Sequence, residues 1–516
     1  MKSFAYFGRK LDHFCSVFHK FFCSFHAFLI QLCYFITLSL FGYLCLKVSK
    51  PRSPVSHNDI DLFFTSVSAA TVSSMTAIEM EVFSNSQLIL LTFLMLLGGE
   101  VFTSMLELVL ARFNFTKNHS TTVQLKQDPP PKSNQIEIGL VSVSNSESHK
   151  QNHSILFVPN DMAESFNYNE RLKYNSLKCL SHVVFGYLTV IHIVGVCLVS
   201  MYTAFIPSAR QVLENKDIKI PTFSFFIIVS TFACCGFVPT NENMVVFKKN
   251  SGLLLLILPH VLLGNALYAP CLRLVIMLMK KVTRREELSY LLKNSKEMGS
   301  SHMLPALHCW LLIVTVFGFN LVQLIMFCSM EWNSKNMEGL SLYQKLVASL
   351  FQVTNARHAG ESVFDLSTIS SAILVLFVVM MYLPPYTTFL PVRGHENDVK
   401  REEKSLVECL VFSQISYLVI FIILICITER ESLTEDPLNF NVLNITLEVI
   451  SAYGNVGFST GYSCARQLKP DAMCKDLWVG FSGKWSTKGK FILILVMFFG
   501  RLKKFNMNGG KAWHLS

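Results

Sequence analysis

Charge is what this sequence has least of. Asp, Glu, Lys and Arg together make up 16% of its 516 residues, while 51% are apolar. Soluble domains carry about a quarter charged residues, so an ordinary water-soluble enzyme is excluded and a polytopic membrane protein is indicated. The phosphate-cradling pattern G-x-x-x-x-G-K-[ST] is absent, as is the H-E-x-x-H of zinc hydrolases. No pair of aspartates falls inside an apolar run. The chain is therefore expected to be no enzyme and to use no cofactor. The fifteen cysteines show no zinc-ligand spacing. They read as small buried apolar residues. Cys464 and Cys474 fall together on the expected outer side, which leaves a disulfide there open.

Lys and Arg outnumber Asp and Glu to give a net charge of +10. That balance does not point to a nucleic-acid partner, because most of the cations sit in a few polar loops that would face the cytosol. What is plentiful is apolar runs long enough to cross a core of about 30 Å. They cover 27–48, 87–110, 180–205, 252–279, 304–330, 368–391, 406–427 and 490–507, the last interrupted by Arg501, Lys503 and Lys504. The first follows Arg9, Lys10 and Lys20; it is long for a signal peptide and lacks a clean cleavage site, so it reads as a retained span with the amino terminus inside.

Two kinds of connection alternate. One is polar and basic. Residues 113–177, with Pro129-Pro130-Pro131, read as a disordered cytosolic loop, and 280–296 and 393–404 are rich in Lys and Arg. The other kind holds a half-apolar stretch too short to cross, then a turn: 61–85, 222–243, 341–365 and 442–462. The order span, re-entrant segment, span thus occurs four times, an internal repeat over 27–112, 178–281, 304–392 and 405–508. A re-entrant helix directing its carboxyl end inward presents partial negative charge, which favours a cation without any ionised side chain. The expected fold is all-α, with eight transmembrane helices in four membrane–pore–membrane repeats around one central pore.

The turns read Ser68-Ala-Ala-Thr-Val-Ser-Ser-Met, Cys235-Gly-Phe-Val-Pro-Thr-Asn-Glu-Asn-Met, Arg357-His-Ala-Gly-Glu and Tyr453-Gly-Asn-Val-Gly-Phe-Ser-Thr-Gly-Tyr. Four such motifs in this order resemble the plant HKT family of the Trk/Ktr/HKT superfamily of cation transporters, over nearly the whole chain except the loop. The resemblance implies a selectivity filter with one residue from each repeat: Ser74, Gly236, Gly360 and Gly457. Val72, Ser73, Cys235, Ala359 and Val456 are their neighbours. Ser-Gly-Gly-Gly resembles the mainly sodium-selective subfamily, whereas an all-glycine set resembles members that also carry potassium. A CH₂OH group beside the carbonyl ring adds bulk that opposes the geometry needed to replace potassium's water shell. The resemblance also implies a homodimer.

Other polar residues have two readings each. Glu100, mid-span after Gly98-Gly99, lines the pore or pairs with an ion to hold helices. Arg501 is an interfacial cation or a positive charge below the filter. Asn241 and Glu242 act on cations at the pore mouth or cap the next helix. Pro384-Pro385 is a gate or only a kink. Of the sequons at Asn114, Asn118, Asn152 and Asn444, only the last lies on the outer side and is a candidate glycosylation site. The expected function is sodium-selective, channel-like uniport through the plasma membrane bilayer, with both termini cytosolic. Potassium transport or sodium–potassium symport through the same pore is the alternative.

Overall fold

The computed structural model describes residues 28–52, 58–127, 160–295, 302–388, 414–469 and 474–506. Both chain ends, Pro129–Pro131, Asn152 and the basic stretch 393–404 lie outside the described residues. Two compact units form. One comprises Met1–Ser104, Gly186–Val275 and Ser301–Ser516; the other comprises Met105–Phe185 and Ile276–Ser300. Within the smaller unit, Tyr168 Oη donates to Glu286 at 2.8 Å and Ser176 Oγ to the Glu287 carbonyl at 3.4 Å.

The described elements are helical, and one order recurs in the larger unit. Helix α1 (Phe28–Val48) precedes a short helix α2 (Asp59–Thr71), a turn, and α3 (Asn85–Gly98), which passes into α4 (Glu100–Gln127). The long α5 (Asn160–Phe205) and the surface helix α6 (Pro207–Asn215) lead to a second short helix, α7 (Ile220–Phe232). After its turn come α8 (Ser251–Leu263), α9 (Tyr268–Thr283) and α10 (Glu286–Lys293). Next are α11 (Ala306–Glu331), short helix α12 (Leu342–Asn355), a turn and α13 (Ser371–Tyr382). Finally α14 (Gln414–Thr428) and α15 (Arg430–Glu435) precede short helix α16 (Val442–Gly454), its turn and α17 (Thr487–Asn506).

Local chemistry sets the helix starts. Ser84 with Gln87 opens α3, and Ser341 with Gln344 opens α12, each as a reciprocal side chain-to-backbone box. Asn441 opens α16 by accepting from Asn444 N at 2.8 Å. Two short helices, α2 and α16, end on left-handed residues, Val72 and Asn455.

Three helices are long and apolar enough to cross a membrane among the described residues: α1, α11 and Glu170–Phe205 within α5. The expected spans 87–110 and 252–279 are bent pairs instead, turning by 54° between α3 and α4 and by 84° between α8 and α9. The expected span 368–391 is helical only through Tyr382, because the proline pair withholds backbone donors and pushes the preceding residue out of the helical region. Large apolar side chains such as Leu307, Trp310, Val314 and Leu321 on α11 stay exposed within the chain, as lipid-facing residues do.

Glycine explains where the second helices touch the short ones. A Cβ on Gly98, Gly264 or Gly500 would overlap the carbonyl oxygen of Ala70, Phe232 or Tyr453, in the last turns of α2, α7 and α16. Backbone therefore packs on backbone at three equivalent points. Gly186 on α5, by contrast, has nothing within 4 Å of its Cβ position. Gly500→Ala is expected to destabilise by about 1–3 kcal/mol through overpacking. Gly186→Ala is expected to be neutral or stabilising by about 0.5–1 kcal/mol. Thermal unfolding of the detergent-solubilised protein checks the opposite signs.

Candidate functional site

The four turns after α2, α7, α12 and α16 meet one another. Ser74, Gly236, Gly360 and Gly457 all adopt left-handed backbone, with φ of 54°, 81°, 67° and 100°. A Cβ on Gly236 would strike the Ala359 carbonyl and stand 3.3 Å from Ser74 Oγ. One on Gly360 would strike the Val456 carbonyl, and one on Gly457 would strike the Ser74 side chain and stand 3.2 Å from the Ser73 carbonyl. The contacts link Ser74 to Gly236, Gly236 to the third turn, the third to the fourth, and the fourth back to Ser74. Ser74 is the only one of the four with a side chain, and it fills the space between Gly236 and Gly457.

Three turns share a further pattern. Val72, Cys234 and Asn455, two residues earlier, are also left-handed. In each, the next residue closes the helix end: Ser73 N, Cys235 N and Val456 N donate to the carbonyls of Ser68, Ser230 and Ser451 at 2.9, 2.8 and 3.0 Å. The third turn differs, for there Gly360 N itself donates to the Asn355 carbonyl at 3.1 Å. Successive carbonyls of an extended chain point to opposite sides. Left-handed residues at every second position change that alternation, and the Ala359 and Val456 carbonyls lie against Gly236 and Gly360.

Polar side chains brace the turns from behind. Asn455 Nδ2 donates to Ser73 Oγ at 2.7 Å, tying the fourth turn to the first. Asn243 Oδ1 accepts from Ser362 N at 3.1 Å, tying the second to the third. Gln352 Oε1 accepts from Val363 N and Phe364 N at 2.9 and 3.3 Å. Glu361 accepts from Thr231 Oγ1 and Glu448 from Ser459 Oγ; both carboxylates are fully buried. Ser459 Oγ also accepts from Gly480 N and Phe481 N at 3.1 and 3.0 Å. Of the expected neighbours, Val72 and Cys235 pack in one apolar cluster, while Ala359 and Val456 supply the carbonyls just described.

Arg501 is 1% exposed. Its Nη2 donates to the Gly98 carbonyl and its guanidinium lies over Phe35 at 5.6 Å. The residue follows Gly500, which touches the end of α16, and its side chain lies inside the protein. Glu100, at the start of α4, is half-buried and is an opposite charge acting on Arg501. The carbonyls of Pro384 and Pro385 accept from Arg357 Nη2 at 2.7 and 3.3 Å. The proline break is thus held from the third turn itself, while Tyr386 Oη meets His302 Nδ1 at 2.7 Å.

Beyond the second turn, Glu242 does not cap the helix after it. It takes a hydrogen bond from Lys216 Nζ at 2.6 Å, and Lys216 also reaches Glu81 at 2.5 Å. Burial pulls the Lys216 ammonium down, but the bonds to Glu242 and Glu81 outweigh it and hold its pKa above the usual lysine range. Asn241 and Glu81 pair reciprocally, Asn241 N to Glu81 Oε1 at 2.9 Å and Glu81 N to Asn241 Oδ1 at 3.1 Å. Asn444 is buried and its Nδ2, the atom that would carry a glycan, donates to the Asn439 carbonyl at 2.8 Å. The folded sequon is therefore not presented to solvent. Cys464 and Cys474 form a disulfide.

Sequence reasoning assigned no role to Asn455, Arg357, Glu361, Glu448, Gly264 or Gly500. The available signal was depth: Arg357, Glu361 and Glu448 are ionisable residues within re-entrant segments, where charge is expensive without a partner.

The TrkH family, described as a cation transport protein, matches residues 162–391 and 400–507. The chain is 51% identical over 480 residues to a sodium transporter HKT1 of Arabidopsis thaliana, covering 91% of each. It is 48% identical over 499 residues to the cation transporter HKT1;3 of Oryza sativa subsp. japonica, covering 94% of this chain and 91% of that one. The crystal structure of the potassium transporter TrkH from Vibrio parahaemolyticus shares the fold, with a TM-score of 0.50 at 15% identity over 93% of this chain and 83% of that chain. A helical chain whose four turns close on one another, matched by these relatives over most of its length, belongs to the TrkH family of cation transport proteins, among its HKT transporters.

Proposed function

We propose that this protein is a sodium-selective, channel-like uniporter in which the cation passes the ring formed by Ser74, Gly236, Gly360 and Gly457. The observation that carries the reading is the mutual contact of four left-handed turns with a single side chain among them. Serine in that conformation costs about 1–2 kcal/mol relative to glycine, so a hydroxymethyl group is kept there against its own backbone preference. Wedged between Gly236 and Gly457, it opposes the wider, even ring that a larger, dehydrated potassium ion requires. Sodium, smaller and keeping part of its water, is penalised less. The relatives named as sodium and cation transporters support the same assignment.

Potassium transport or sodium–potassium symport is the second reading, favoured by the family's potassium transporters and by a backbone at Ser74 that matches the three glycines. The setting is the plasma membrane, with basic loops and both termini cytosolic by the positive-inside rule, and a second copy of the chain as partner by family resemblance.

Ion-replacement electrophysiology separates the readings. The unmodified protein's reversal potential is expected to move by about 59 mV per tenfold change in external sodium and little with potassium. Ser74→Gly is expected to bring the potassium response close to the sodium response. Equal responses in the unmodified protein would defeat the serine argument.

Arg501 places a fixed positive charge one residue after the contact between Gly500 and the α16 end, where the helix terminus otherwise favours a cation. Arg501→Gln is expected to raise current per surface-expressed molecule severalfold in both directions, with the reversal potential retained. Unchanged or smaller current at equal surface labelling would assign Arg501 a purely structural role.

A further inference from the structure

A small cavity of about 90 Å³ opens where the segments beyond the third and fourth turns meet. Its walls include Asp365, Thr460, Arg466, Asp476, Tyr462 and Trp478. Thr460 lies three residues past Gly457 and Asp365 five past Gly360, so the cavity is built from the same strands of chain that form the ring. Thr460 is 1% exposed, and its Oγ1 has no hydrogen-bond partner although it borders this space. A buried hydroxyl without a partner normally costs about 1–3 kcal/mol, and a water or ion in the cavity removes that cost.

The carboxylates are only half committed. Asp365 Oδ1 accepts from Ser367 N at 2.9 Å, and Asp476 Oδ1 accepts from Cys464 N at 2.6 Å. Among the described residues, Arg466 forms no ion pair with either. The corresponding seam between the first two turns is different: there Lys216 closes on Glu81 and Glu242 at 2.5 and 2.6 Å. One seam is shut by its cation, whereas the other leaves two negative charges, one positive charge and a free hydroxyl around an open space.

We propose that this cavity is an entry site for a hydrated monovalent cation, occupied before the ring. The inference rests on the transport reading above and deepens it. The lining supplies a few side-chain oxygens rather than a closed ring, so an ion there keeps its water. The volume accommodates an ion with several waters. Arg466 in the wall and Lys484, 5.0 Å from the Tyr462 ring, offset part of the carboxylate charge, which holds a cation weakly enough to leave, as conduction requires.

The test measures inward sodium current against external sodium, with ionic strength held constant by an impermeant organic cation. Asp365→Asn and Asp476→Asn are each expected to raise the half-saturating sodium concentration about fivefold, the factor for one unit charge at about 4 Å in water-like surroundings. Asparagine keeps the cap oxygen at both positions. Arg466→Gln is expected to lower the half-saturating concentration, an opposite shift that a merely structural role would not produce. Thr460→Val is expected to raise it. Unaltered half-saturation in both aspartate variants overturns the proposal, as does a shift that disappears when the impermeant salt is raised, which would mark diffuse surface charge. Block by millimolar calcium that is lost in both variants also overturns it, by making the site one for divalent ions. Absence of any alkali-cation current in the unmodified protein defeats the transport reading instead. The site itself is then read from quenching of Trp478 by the thallous ion in purified protein. Quenching that Asp365→Asn weakens upholds the site, and quenching that it leaves unchanged overturns it.

Discussion

Backbone lying directly on backbone at four left-handed turns is the constraint on which the rest depends. Left-handed conformation admits glycine freely and other residues at a cost. The turns approach so closely that a Cβ at three of the four positions has no room. Both facts demand glycine for the same reason, and Ser74 survives because its side chain has one gap to occupy. The contact does not stop at the ring: Gly98, Gly264 and Gly500 bring the second helices against the carbonyl ends of α2, α7 and α16. These three short helices are thus gripped at their carboxyl ends, with their partial negative charge kept near the ring.

Several buried ionisable groups among the described residues are held by partners away from the ring. Arg357 is spent on the carbonyls of the proline pair, Arg501 on the Gly98 carbonyl, and Glu361 and Glu448 on hydroxyls behind the turns. Lys490 meets Asp61 at 2.6 Å, and Glu429 takes the Ser486 hydroxyl at 2.6 Å. Burying ionisable groups is expensive unless each has a partner. With these groups committed elsewhere, what the four turns themselves present is main chain and one serine hydroxyl.

The turns were legible in the sequence because they needed glycine, and glycine in an apolar setting is conspicuous. The short helices were legible by length, being apolar yet too short to cross. Breaks in the second helices were not, since hydropathy over 87–110 and 252–279 is the same whether the helix is straight or bent by 54° and 84°. The braces were hidden for another reason. Asn455 reaches Ser73 across 382 positions of chain and Arg501 reaches Gly98 across 403, and no local pattern reports such pairs. Arg501 read from sequence as an interfacial cation or as a positive charge below the filter, and no local pattern shows that its side chain is buried. Asn444 matched a sequon on the expected outer side, but the same amide is needed inside, near the start of α16.

The bridge between Cys464 and Cys474 carries a consequence for how the protein is made. Such bonds form and persist in oxidising compartments and are rare where glutathione keeps thiols reduced. The loop that bears them follows the fourth turn. A bond kept there fits the oxidising face of a membrane, a consideration from redox chemistry that is independent of where the lysines fall.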